Sequence, residues 1–199
     1  MAQCHHAKGD YEDALTYYLE AMEKEPKNVD FLQHRAKTYF KQRNFALAIK
    51  DLETAFEYLD GSSDDDILTT QILYLLGKTY FANRQYRKTL KRLKLALHGR
   101  PYPSYEPDIY YHIGLSYARL EKFEKSIFPL TKCIERIPTD GCYMHERAKA
   151  HQMIGMHAEA VKDFDALLKR NPSNAHAYFR RAFSLKALKV SEIEWLYFL

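Results

Sequence analysis

The feature that most constrains this chain is a repeat. Pro138 and Pro172 stand 34 residues apart, and Pro26 and Pro101 fall in the same phase once one insertion is removed. Between these prolines one order of residues recurs six times: a small residue beside an apolar one, an aromatic three residues on, then Ala, a large apolar residue and a second small residue. A period of this length and content belongs to a helix–turn–helix unit whose copies stack into a solenoid. Such a fold offers surface rather than a catalytic cleft.

The units fall at 1–28 (partial), 29–62, 70–103, 107–140, 141–174 and 175–199 (partial and divergent). The second unit reads Leu32, Ala36 and Tyr39, then Phe45, Ala48, Leu52 and Ala55. The third holds Leu73, Gly77 and Tyr80, then Tyr86, Thr89, Leu93 and Ala96; the fourth Tyr110, Gly114 and Tyr117, then Phe123, Ser126, Leu130 and Cys133. Met144, Ala148 and His151, then Ala160, Phe164 and Leu167, make the fifth, and Tyr178, Ala182 and Leu185 open the sixth. Where two antiparallel helices cross closely only a small side chain fits, which explains Gly77, Gly114, Ala148 and Ala182. Large apolar residues at i, i+3, i+4 and i+7 fill the core around them. Proline cannot continue a helix and closes each unit. Asp10 and Asn44 are suited to cap second helices.

These residues resemble the tetratricopeptide repeat family over nearly the whole chain. The resemblance implies an all-α, right-handed α-solenoid: a single array of helix–turn–helix units over residues 1–199. Two positions depart from the family pattern, His151 in place of an aromatic and Asp60 in place of Pro. Three further features are irregular. Residues 63–69 lengthen one link around Ser62, Ser63 and Asp64–Asp66, Pro129 falls inside a helix where it should break a hydrogen bond and kink it, and the tail 190–199 ends strongly apolar. A truncated or spliced array and a self-capping tail both fit that tail, which is also a candidate for self-association. Ser62 and Ser63 precede acids as kinase sites do, though capping of the next helix explains them as well.

The composition excludes much. No apolar run approaches a membrane span, the start Met1–His6 carries no secretory signal, and three irregularly spaced Cys give no disulfide framework. An intracellular, cytoplasmic, reducing location is expected. All seven Gly fit helix crossings (Gly77, Gly114) or turns (Gly9, Gly155 within units; Gly61, Gly99, Gly141 between them), leaving none for a phosphate-cradling loop. Cys4-His5-His6 and the pair Cys142 and His145 lack a second pair at zinc-site spacing, and Cys133 sits in a core slot. No hydrolase, kinase or metalloprotease motif is present. The expectation is no enzyme, no cofactor and no metal.

Charge is uneven. Residues 1–62 carry 8 Lys/Arg against 11 Asp/Glu, and residues 63–103 carry 8 against 3. The excess includes Arg87, Lys88, Lys91 and Arg92, a candidate outer patch for RNA or anionic phosphate groups. A solvated helix face explains it better, and Tyr86 is its only aromatic, so nucleic acid is disfavoured.

In the resembled family the first helix of each unit lines a concave groove. That mapping places Lys37, Lys41, Tyr74, Lys78, Phe81, Tyr111, Arg119, Lys149, Phe179, Arg180 and Phe183 on the groove. Lysines beside aromatics suit a protein partner's peptide or helix with acidic and apolar side chains. The family's two-carboxylate clamp for chaperone C-termini is disfavoured: Arg180 matches, but His176 replaces a Lys, and Glu146, Tyr111 and Leu115 hold slots that must coordinate a carboxylate. The resemblance thus points to a scaffold or adaptor. Members serve chaperone, ciliary, trafficking and transcriptional complexes, so a ciliary or microtubule-linked role rests on the family alone.

Overall fold

The computed structural model describes residue 3 and residues 10–59, 67–99 and 103–197, with backbone alone for 190–197. The expectations at Cys4–His6, Gly9, Asp60–Asp66, Arg100, Pro101 and the tail side chains lie outside these residues. Among the described residues there are ten helices and no strand, so the fold is the expected all-α series of helical hairpins. The helices are α1 (Tyr11–Lys24), α2 (Val29–Lys41), α3 (Phe45–Leu59), α4 (Ile67–Ala82) and α5 (Tyr86–His98), then α6 (Glu106–Arg119), α7 (Phe123–Arg136), α8 (Gly141–Met153), α9 (His157–Arg170) and α10 (Ala175–Tyr197). They form two compact units, 1–109 and 110–199.

In the N-terminal unit α2 packs on α3 and α4 on α5, and α3 lies against α4. The core gathers Leu32, Ala36, Leu52, Ile72, Leu76 and Tyr80, all at most 2% exposed. In the C-terminal unit α8 packs between α7 and α9, with Ala148, Ala160 and Phe164 fully buried. Cys133 is buried in its small-residue slot. A Cβ on Gly77 would run into Leu93, and one on Gly114 would come within 2.8 Å of Leu130 Cγ, as the crossing argument requires.

The turns inside hairpins are built alike. Arg43, Arg84, Glu121 and Gly155 adopt φ of 60°, 59°, 59° and 78°. In each turn the next residue's N–H reaches back to a carbonyl: Asn44 to Tyr39, Gln85 to Tyr80, Lys122 to Tyr117 and Met156 to His151, at 2.8–2.9 Å. A second bond links Arg43 to Phe40, Arg84 to Phe81, Glu121 to Ala118 and Gly155 to Gln152. This bond pair with a left-handed residue is the Schellman stop, which satisfies carbonyls the helix leaves over.

Four details differ from the sequence reading. Asp10 stands at the start of α1 but makes no capping bond; its ψ of 69° is far from the extended backbone that aims a side chain at the helix. Asn44 does accept from the Leu47 N–H, at 3.5 Å, and further caps are Asn28 on Asp30 and Phe31, Asp140 on Cys142, and Asn174 on Ala177. Residues 67–69 are the first turn of α4 rather than link, and Gly141 is the first residue of α8 rather than a turn. Ala182 fills no helix crossing, and Tyr178 and Leu185 beside it are 47% and 38% exposed. Pro129 lies inside α7, as the sequence placed it, and is buried.

Candidate functional site: a lysine-rimmed pocket between α2 and α4

Four of the expected groove residues meet in the N-terminal unit. Lys37 and Lys41 from α2, with Tyr74 and Lys78 from α4, line one cavity of about 280 Å³ floored by Ala36, Phe40, Leu52 and Leu75. The helical period explains the placement. Ala36, Lys37, Phe40 and Lys41 are spaced so that α2 turns one edge into the core and the adjoining edge toward α4.

The three lysines differ. Lys37 is partly buried, and that burial lowers its pKa below the usual lysine value, with Asp30 pulling the other way. It has no ion-pair partner among the described residues, and neither does the exposed Lys41. Lys78 is held by its neighbours. Its Nζ donates to Asp108 Oδ2 at 3.1 Å and to the Tyr74 hydroxyl at 3.2 Å. The Tyr74 hydroxyl itself donates to Asp108 at 2.5 Å, and its ring stacks on Tyr105 at 4.8 Å. Burial first, then the bond to Asp108, raises the Tyr74 pKa well above the ordinary tyrosine value. The wall of the pocket is thus a fixed Tyr–Asp–Lys cluster, while Lys37 and Lys41 supply its available positive charge.

Phe81 lies outside this pocket, half-buried with its ring edge-on to Tyr86 at 5.5 Å. Phe40 packs the same way on Phe45 in the preceding hairpin, also at 5.5 Å. Phe40, Leu75 and Tyr105 were missed by the sequence reading. The recurring Phe–x₄–aromatic spacing could have signalled the hairpin role of Phe40 and Phe81.

In the C-terminal unit the expected residues scatter over several local contacts. Tyr111 places its hydroxyl 3.1 Å from Cys142 Sγ and its ring 5.2 Å from Tyr143. Lys149 is paired with Glu146 at 3.1 Å. Arg119 is exposed, with no partner among the described residues. Arg180 donates to Gln152 at 3.1 Å, while Gln152 donates to the Arg180 carbonyl and to Ser184. Phe179 and Phe183 are 73% and 58% exposed.

The outer basic patch is partly committed. Lys88 lies over the Tyr80 ring at 5.2 Å and Arg92 over Phe56 at 4.9 Å, leaving Arg87 and Lys91 as exposed cations without a partner among the described residues. Tyr80 also bonds Glu53, and burial together with that bond pushes its pKa up to about 12. Half of the patch therefore ties α5 to α3 and α4. Among the described residues no group of His, Cys, Asp or Glu could hold a metal, and no helix is long and apolar enough to cross a membrane.

Comparison with known proteins accords with this architecture. Sequence models of three repeat families match the chain: TPR repeat at 3–42, and tetratricopeptide repeat at 107–140 and at 145–184. Similar curated proteins include Hsp70-Hsp90 organizing protein 2 of Arabidopsis thaliana, 24% identical over 87% of this chain and 35% of its own length. Stress-induced-phosphoprotein 1 of Caenorhabditis elegans is 25% identical over 90% and 52%, and human DnaJ homolog subfamily C member 7 is 24% identical over 93% and 38%. The chain thus spans about a third to a half of these relatives' length. Among solved structures, MamA superposes with a TM-score of 0.76 at 23% identity, covering 88% of this chain and 97% of its own. YrrB, a TPR protein with an unusual peptide-binding site, gives 0.73 at 18% identity over 86% and 84%. With the hairpins, their small-residue crossings and the recurrent period, these matches show that the chain belongs to the tetratricopeptide repeat family.

Proposed function

We propose that the chain is a non-enzymatic protein-binding scaffold that holds an acidic, partly apolar peptide segment in the pocket between α2 and α4. One observation carries this reading: an apolar floor flanked by Lys37 and Lys41, two ammonium groups with no ion-pair partner among the described residues, Asp30 acting on Lys37 only from beyond ion-pair distance. The partly buried Lys37 has lost some hydration, which a bound carboxylate would offset. Phe40 and Leu75 would take the adjoining apolar side chain. The Lys78–Asp108–Tyr74 cluster fixes one wall and spares the ligand part of the ordering cost.

The similarity to YrrB, described as having a peptide-binding site, supports a peptide as the ligand class. The relatives named as chaperone organizers keep chaperone tails among the candidates. The two-carboxylate clamp remains disfavoured, because Glu146, Tyr111 and Leu115 cannot grip a carboxylate. Tyr111 spends its hydroxyl on Cys142.

The test is selection of short random peptides on the whole chain, followed by titration. Selected peptides should carry an acid close to a Leu or aromatic. Lys37→Glu with Lys41→Glu should weaken them by about tenfold or more, since a like charge replaces an attractive one at short range. Selected peptides that bind this double variant unchanged would overturn the proposal.

A further inference from the structure

The repeat register shows where, among the described residues, no second helix covers a first one. Tyr178, Ala182 and Leu185 of α10 occupy the places held by Leu32, Ala36 and Tyr39 in α2 and by Met144, Ala148 and His151 in α8. In those hairpins the second helix covers them, and Ala36 and Ala148 are 1% and 0% exposed. On α10 the same three residues are exposed. Lys189 stands where Arg43 and Gly155 turn their chains, yet α10 runs on as helix to Tyr197. The residues from Lys189 to Tyr197 therefore do not fold back over that face.

A second observation is a cation lacking its usual anion. Arg181 holds the register position of Arg35 and Arg147. Each of those grips an Asp of its own second helix with two bonds, Arg35 on Asp51 at 2.8 and 2.7 Å and Arg147 on Asp163 at 3.0 and 2.6 Å. Arg181 has no second helix among the described residues. It leans instead on Asp165 of α9 at 2.7 Å in a pair 35% and 45% exposed, and its buried Nε makes no well-aligned hydrogen bond. Residues 175–189 contain no Asp or Glu, while Arg180, Arg181, Lys186 and Lys189 make the helix basic.

We propose that this face of α10 docks an amphipathic, acidic helix of a partner protein. That helix carries the order small–x–x–Asp–large–x–x–small, as Ala48, Asp51, Leu52 and Ala55 do in α3. Its first small residue lets the backbones approach at Ala182, its large residue packs between Tyr178 and Leu185, and its Asp forks Arg181. A second copy of this chain fits poorly. At the Asp position α1 has Tyr17, α5 has Arg92 and α7 has Pro129, while α3 and α9 are already packed in their own hairpins.

The probe is a labelled peptide with the sequence of residues 45–59, titrated into the whole chain. A peptide of residues 86–98, with a similar apolar order but Arg92 at the Asp position, is the control. The first should bind saturably and the second should not. Asp51→Asn in the peptide and Arg181→Met in the chain should each weaken binding about tenfold, and both together little more than either, as for two ends of one ion pair. In a Lys37→Glu, Lys41→Glu background, which removes the pocket between α2 and α4 as a second site for an acidic peptide, Ala182→Glu should abolish the remaining binding. Binding indifferent to both Arg181→Met and Ala182→Glu would overturn the proposal. So would a dimer in light scattering that Ala182→Glu dissociates, which would give the face to a second copy.

Discussion

The hairpins α2–α3 and α4–α5 lie in one unit and join their two helices in opposite ways. In the first, Arg35 and Asp51 form a bidentate pair with side chains 15% and 6% exposed, and Ala36 sits at the crossing. In the second, the same two places hold Leu76 and Arg92. Leu76 is fully buried, Arg92 turns away onto Phe56, and the crossing residue is Gly77, pressed against Leu93 with no room for a Cβ. The C-terminal unit repeats the contrast. α8–α9 has Arg147–Asp163 with Ala148, whereas α6 and α7 have Ile113, Pro129 and Gly114. Where an ionic fork spans the helices, Ala suffices at the crossing; where the fork is absent, the crossing residue is glycine, with no room for a Cβ.

His151, the departure from the family aromatic, belongs to this contrast. Its Nδ1 lies 3.3 Å from Asp163, as a third member of the fork, whereas Tyr39 in the equivalent place receives the Arg35 guanidinium on its ring at 5.9 Å. Burial alone would raise the Asp163 pKa, but the nearby His151 and the two bonds from Arg147 outweigh it and hold the carboxyl below its ordinary value.

The largest expected break of the comparison is Asp163→Ala. It strands Arg147 in a partly buried site and should cost about 3 kcal/mol in urea unfolding. Converting the fork to the apolar solution, Arg147→Ile with Asp163→Leu, should cost no more than about 1 kcal/mol, because neither charge is left behind. A double variant as unstable as the single one would refute the equivalence of the two solutions. The wild-type pair also predicts acid sensitivity. With the folded pKa depressed, the Asp163 contribution is complete above the unfolded value of 3.8 and lost as pH falls through the lower folded value. Asp163→Asn should flatten that limb of the stability–pH curve.

Next in size is the crossing residue. Gly77→Ala should destabilise by about 2 kcal/mol, since Leu93 must move to admit the methyl group. Ala36→Gly, in a hairpin with its fork, should cost about 1 kcal/mol through helix propensity alone. Equal losses measured by thermal unfolding would erase the distinction between the two designs.

The smallest expected effect lies in the turns. Gly155→Ala should lose about 1 kcal/mol, because a Cβ is strained at its φ of 78°. Arg84→Gly in the equivalent turn should change stability by less than about 0.5 kcal/mol, strain relief offsetting the added freedom of the unfolded chain. A melt showing Arg84→Gly to be strongly destabilising would mean the arginine does more than tolerate its turn.

Most of the helices and both glycine crossings were legible from the period, because a repeat pins each small or large apolar residue to a fixed face. The forks were not. Arg35 and Asp51 are 16 residues apart, and a reading of apolar slots passes over polar partners whose pairing depends on two helices being antiparallel. The pairing of Lys78 was not legible either, because its Asp108 comes from a different helix, 30 residues on. Tyr178, Ala182 and Leu185 read as core because they repeat a pattern that is core elsewhere. Only the uninterrupted continuation of α10 as helix shows that nothing in the described chain folds over them.

The connections carry a last consequence. Inside hairpins they are always three residues, 42–44, 83–85, 120–122 and 154–156, each closed by the same pair of bonds. Between hairpins they run over 25–28, 60–66, 99–105, 137–140 and 171–174, so the departures from the 34-residue spacing fall between hairpins, in these links and in the helix turns beside them, as residues 67–69 do at the start of α4. The chain therefore has two kinds of joint, one of fixed gauge and one of adjustable length. Grafted sequence, such as a reporter or an epitope, belongs at the adjustable joints; the same insert at Arg84 would uncouple a helix from the one it was made to cross.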